Sequence, residues 1–426
     1  MAYRWGRRIL WGAAGLVFLT SRANAADSDA LIKLLIKKGL ITEQELKEVG
    51  AELEAGTPQQ AAKEIAKPVM MDKAGSALKI KGRYAAGYFQ GGKDGTDPNG
   101  AFRAPEAKVQ LAFAPDAVNT VITRFNLNNA SPNNNPLLDY FYLESKDFLP
   151  MLKEYPLSFA TRLGRFKMDF GEETWSNNSV ESALPSNSVA NVAGNDEGAQ
   201  LALSLKTAWS PRVSFGVFNG NTTTLTDNAA GKAFTAKLSV TPLDELYLST
   251  SFFDSRALKG QASEMSVGGL TTIPALLPTS AVNWSRSMWE VDARYDIGKG
   301  TAKLDPPAYT DSTAYLKGAY GLFTDDAKGG TDRRGDYAFL EALWNLHPKW
   351  YAALRWSILD FEQEASATIG GITTVKTQQR YALGGGYRWS NNTILKGEWA
   401  IDHEAGRTGA DDASNNLFSL MVASQF

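Results

Sequence analysis

Hydrophobic and polar side chains alternate along this chain from Leu78 to Phe426. A period of two is the mark of a strand with two unlike faces. It predicts sixteen strands: 78–90, 105–114, 118–128, 137–144, 157–167, 200–209, 212–219, 232–241, 245–254, 288–297, 312–323, 337–346, 350–361, 380–389, 393–402 and 417–426. An even number suits a closed antiparallel up-and-down barrel.

The connections alternate in length. Pro115-Asp116-Ala117, Ser210-Pro211, Pro242-Leu243-Asp244, His347-Pro348-Lys349 and Ser390-Asn391-Asn392 are tight turns of Pro, Asp and Asn. The intervening connections are longer and polar, the longest being 168–198 and 255–287. Two further links, 145–156 and 298–311, are of moderate length. Long loops on one rim and short turns on the other is the asymmetry of outer-membrane barrels. The expected fold is therefore all-β, a transmembrane antiparallel barrel of about sixteen strands.

The strands sort into two faces. Phe234, Ala236, Leu238 and Val240 oppose Thr235, Lys237 and Ser239; Trp289, Val291, Ala293, Tyr295 and Ile297 oppose Glu290, Asp292, Arg294 and Asp296. A charge facing lipid near the bilayer middle costs about 2–4 kcal/mol, so the charged face is expected to be the lumen. The inward set then contains Lys79, Lys81, Arg83, Lys108, Arg124, Arg162, Lys206, Lys237, Arg294, Lys317, Arg355, Arg380, Arg388 and Lys396. Against these fourteen stand the acids Glu106, Glu290, Asp292, Asp296, Glu341 and Glu398. Such an excess of Lys and Arg favours small anionic solutes. A barrel this wide is not filled by its own side chains. The long loop after the fifth strand, with Asp169, Glu172, Glu173 and Trp175, is the expected constriction.

Composition adds the route and removes alternatives. Arg4, Arg7 and Arg8 precede an apolar stretch over 9–19, and Ala23-Asn24-Ala25 is a small-x-small cleavage signal. Residues 1–25 read as a secretory signal peptide of the general export route. Residues 26–76 read as a short periplasmic helical segment and linker: Leu31, Leu34 and Leu35 sit at helical spacing, and Thr42 with Glu45 forms a capping box. Residues 77–426 form the barrel. Without its leader the chain keeps forty basic against forty-six acidic residues, a net charge of −6, which argues against a nucleic-acid partner. There is no cysteine, and the only histidines are His347 and His403. Neither has a Ser–Asp partnership, so no enzyme, metal or cofactor is expected. An aromatic at Phe426, ending an amphipathic strand, resembles the signal read by the barrel-assembly machinery.

The run Arg162-Leu163-Gly164-Arg165-Phe166-Lys167-Met168-Asp169-Phe170-Gly171 is similar to a segment of the phosphate-selective porin O and P family. Lys79-Ile80-Lys81-Gly82-Arg83-Tyr84 and Phe426 agree with it. The resemblance spans the barrel and implies sixteen-stranded homotrimers in the outer membrane of a Gram-negative bacterium, in contact with its lipids and taking up anions. Asp169 stands where that family often has proline, which leaves the solute open. The expected function is a passive porin with anion preference. The alternative is a barrel sheath for a periplasmic or electron-transfer partner docked on the N-terminal helices.

Overall fold

The computed structural model describes residues 77–128, 138–149, 155–176, 178–220, 231–259, 263–270, 283–298, 313–328, 332–365, 375–405 and 412–426. The expected leader and helical segment lie outside the described residues. The barrel strands are β1 (Ala77–Gly91), β2 (Ala101–Ala114), β3 (Asn119–Asn126), β4 (Leu138–Lys146), β5 (Leu157–Lys167), β6 (Asn195–Leu205), β7 (Arg212–Phe218) and β8 (Ala233–Leu243). They continue as β9 (Leu246–Asp254), β10 (Asn283–Ile297), β11 (Ala314–Lys328), β12 (Arg333–His347), β13 (Trp350–Ala365), β14 (Val375–Arg388), β15 (Thr393–Ala405) and β16 (Leu417–Gln425).

Each strand pairs antiparallel with the next, and β1 closes the circle by pairing with β16 from Arg83↔Gln425 to Gly91↔Leu417. The sixteen-stranded antiparallel barrel expected from the alternation is the fold. Turn chemistry sets one rim. Asp116 Oδ1 accepts the backbone N–H groups of Val118 (2.8 Å) and Asn119 (2.7 Å), reversing the chain between β2 and β3.

Several strands run further than the alternation predicted, towards the long-loop rim. β10 starts at Asn283 rather than 288, and β12 at Arg333 rather than 337. At roughly 3.4 Å per residue these fifteen-residue strands are about 50 Å long. Their charged ends looked like loop. They hold strand geometry because Asp325 of β11 pairs with both Arg286 of β10 and Arg333 of β12 inside the wall.

Burial is inverted relative to a water-soluble protein. Leu163, Trp209, Phe215, Leu354 and Leu383 are more than half exposed on the outer face, while Arg286 and Lys396 are fully buried inside. So continuous an exposed apolar belt calls for an apolar solvent. The inside of the barrel holds two clusters of buried apolar side chains, each joining wall residues to the 168–194 loop.

Candidate functional site

The loop 168–194 leaves β5 and turns into the barrel, where polar contacts seat it at intervals. Asp169 comes first, fully buried, accepting from Arg212 Nη1 (2.8 Å) and Ser214 Oγ (2.8 Å), with Lys237 Nζ at 3.5 Å. Burial alone would raise its pKa, but the Lys237 and Arg212 charges hold the carboxyl well below the usual carboxylate range. Gly171 follows at φ 64°, left-handed backbone that glycine adopts without penalty. A Cβ there would run into Glu290 Oε1, so the chain also needs glycine for space. Lys237 Nζ donates to Gly171 O (2.7 Å) and lies 2.6 Å from Glu172 Oε1. The Glu172 carboxylate also accepts from Tyr247 Oη and from Ser249 Oγ (3.3 Å), and its backbone N–H donates to Asp292 Oδ1 (3.0 Å). Burial pushes Glu172 up to about 7, against the pull of Lys237 and helped by Asp292.

One turn of helix, α1 (Glu173–Ser176), carries the loop onward. The Glu173 carboxylate accepts from Ser188 N (3.2 Å) and Oγ (2.6 Å), closing the loop on itself; burial raises its pKa despite Arg355 and Lys317 nearby. Further along, Ser179 N donates to Glu106 Oε2 of β2 (2.9 Å). Lys396 of β15 donates to the carbonyls of Val180 and Ser182. Tyr351 Oη donates to Ala183 O (2.7 Å), Arg355 Nη2 to Ser186 O (2.6 Å) and Arg380 Nη1 to Asn187 O (3.1 Å). Val180, Ala183 and Leu184 pack among Tyr315, Leu343 and Met421 of the wall. The loop is thus fastened across the barrel, chiefly to the β8–β15 side.

This divides the fourteen inward cations by role. Lys237, Lys317, Arg355, Arg380 and Lys396 hold the loop, Lys317 through Ser176 Oγ (3.2 Å). Arg294 forks onto Asp296 (2.9 Å twice), and Arg388 braces a turn through Pro348 O (3.2 Å) and Asn345 Oδ1 (2.5 Å). Lys81, Arg83, Lys108 and Arg124 instead line an open cavity of about 610 Å³ between β1–β5 and the loop, together with Lys167, Trp175, Glu181 and Glu264. Arg162 lies beside it, 5.9 Å from the Trp175 ring, which Lys167 also approaches at 5.3 Å. Lys79 is exposed on β1. Lys206 lines a second cavity of about 580 Å³ with Arg212, Tyr247 and the hydroxyls of Ser158, Ser204 and Thr241.

Of the acids behind the basic wall, the alternation placed Glu106 inward but missed Asp139 and Glu144. Glu106 pairs with Arg83 (2.9 Å), Asp139 with Lys108 (3.0 Å) and Arg124 (2.7 Å), and Glu144 with Arg162 (2.9 Å). Asp139 sits where the β3–β4 register shifts between Arg124 and Phe125, so strict alternation misplaces it. Its signal was a charge beside the aromatic run Tyr140-Phe141-Tyr142. Phe426 exchanges two 3.0 Å backbone hydrogen bonds with Gly82, and its ring occupies the space a Gly82 side chain would need.

No family model and no curated protein matches the chain. Solved structures do. An outer membrane channel, DcaP of Acinetobacter baumannii, superposes with a TM-score of 0.54 at 11% identity, over 84% of this chain and 100% of that one. An anion-selective porin from Comamonas acidovorans gives 0.52 at 12%, over 82% and 100%. OmpT of Vibrio cholerae in its trimer form gives 0.51 at 10%, over 83% and 100%. At these identities the likeness is one of architecture: the chain has the sixteen-stranded barrel fold of outer-membrane porins.

Proposed function

We propose that this protein is an outer-membrane porin, a passive channel for small hydrophilic solutes with a preference for anions. The observation that carries this reading is the open cavity left beside the infolded loop, with Lys81, Arg83, Lys108, Arg124 and Lys167 on its lining against Glu181 and Glu264. Fixed cations along a narrow aqueous path lower the energy of a passing anion and raise that of a cation. The carboxylates behind the wall temper this charge and hold the guanidinium groups in place. That favours fast passage with modest selectivity over tight binding. The porin fold, the exposed apolar outer belt and the anion-selective structural neighbour support the reading. The resemblance of the Arg162–Gly171 segment to phosphate-selective porins puts phosphate and other oxyanions among the solutes to test, with Asp169 leaving the choice open. Trimeric OmpT supports a homotrimer. In this reading outer-membrane lipids cover the belt, and Phe426 is the residue presented to the assembly machinery.

Purified protein in a planar bilayer tests it. Across a potassium chloride gradient the zero-current potential is expected to take the sign of chloride preference, and Lys81→Glu with Lys108→Glu to move it towards potassium. A potassium-selective wild type overturns the anion preference. A folded barrel that passes no current overturns the porin.

A further inference from the structure

The 168–194 loop is not alone in the lumen. The segment 263–270, from the connection between β9 and β10, also lies inside the barrel, with Met265, Val267 and Leu270 buried against Met168, Phe170 and Val192 of the first loop. The two join edge to edge. Ser266 and Val267 pair antiparallel with Ala193 and Val192, Ser266 Oγ donates to Ala193 O (3.1 Å), and Gly268 N donates to Asn191 O (2.9 Å).

Arg286 fixes the second segment. It has no exposed surface, and a buried guanidinium must spend its donors on acceptors. Its Nε and Nη2 fork onto Asp325 at 2.7 and 3.0 Å. Nη1 reaches out of the wall to the carbonyl oxygens of Met265 (2.8 Å) and Leu270 (2.6 Å), gripping the segment near both ends. Asp325 is shared with Arg333 (Nε 2.9 Å), so it is already balanced without Arg286. The additional cation has its other two contacts on the loop. What the segment delivers is Glu264, which lines the open cavity and pairs with Arg165 (3.2 Å).

We infer that 263–270 is a second constriction element, latched into the lumen by Arg286, and that it sets the bore and, through Glu264, trims the anion preference. Arg286 is a positioning residue here; Glu264 is the group that faces the solute. The inference rests on the porin reading, and the two fail separately. A wild type without current sinks the porin, whereas a conducting wild type indifferent to the loop sinks only the latch.

Arg286→Met keeps much of the side-chain volume and leaves Asp325 paired with Arg333. It is expected to raise single-channel conductance roughly twofold, as a folded-in segment leaves the path, and to shift the zero-current potential towards chloride. Glu264→Gln is expected to give the same shift in potential with a much smaller change in conductance. Because the chain has no cysteine, Ala193→Cys with Ser266→Cys cross-links these two loops specifically. In the Arg286→Met background oxidation is expected to restore wild-type conductance and reduction to release it. Rescue of this kind separates latching from a general loss of stability. If Arg286→Met does not fold, deletion of 263–270, which leaves every barrel strand intact, reads the same quantities. Conductance and potential unchanged in a folded Arg286→Met barrel, or in the deletion, overturn the inference.

Discussion

Gly171 is where the chain commits to the lumen, and two independent constraints meet on it. Its φ of 64° strains any L side chain, at about 1–2 kcal/mol, and its Cβ position is already occupied by the Glu290 carboxylate. Gly171→Ala is therefore expected to weaken loop attachment by at least that amount, seen as faster limited proteolysis of 168–194 in the folded barrel. Glu172, next in line, carries a pH dependence. Its folded pKa is raised to about 7, so its contribution to seating the loop is fully present below the ordinary carboxylate range and is lost as pH rises through about 7. The ionised form gains Lys237 but meets Asp292 and has little water to replace. Current fluctuations recorded from acid to mildly alkaline pH should grow through that window, and Glu172→Gln should flatten the change. Asp169 works in the opposite sense. Its lowered pKa keeps its pairing with Arg212 and Lys237 intact throughout the same range.

At the scale of the element, the strands were legible and the loops were not, for a physical reason. A strand declares its faces through local alternation, because each residue answers to the solvent on its own side. Lys237, Arg355 and Lys396 could be placed on the inner face from that pattern. Whether an inward cation meets water or a loop carbonyl depends on where a segment far away in sequence comes to rest. Lys396 meets Val180 and Ser182, so no local signal marks it as an anchor. Arg286 was passed over entirely because its surroundings look like loop, though its guanidinium makes four hydrogen bonds, two to Asp325 and two to loop carbonyls. The loop that turns into the barrel was recognisable from its length and its place after β5. Of the four residues named with it, Asp169, Glu172 and Glu173 tether the loop, while Trp175, together with Glu181, lines the opening.

For the whole molecule, closure depends on one seam. Gly82 leaves room for the Phe426 ring and exchanges backbone hydrogen bonds with it, at the end of the β1–β16 ladder. Gly82→Val overpacks this contact and is expected to destabilise the barrel by about 1–3 kcal/mol, read as a lower temperature for loss of the compact form on unheated gels. Phe426→Ala in the same protein should return part of that loss, and no recovery would mean the ring does not govern the seam. The seam also makes the protein a test of its own completeness. Every other pairing between the barrel strands joins neighbours in sequence, whereas this one joins the two extremes of the described barrel. A chain interrupted anywhere before β16 cannot settle for a smaller pore; it keeps two bare edges, each a template for joining other chains. The seam is therefore the step that removes the last exposed edge from the described barrel.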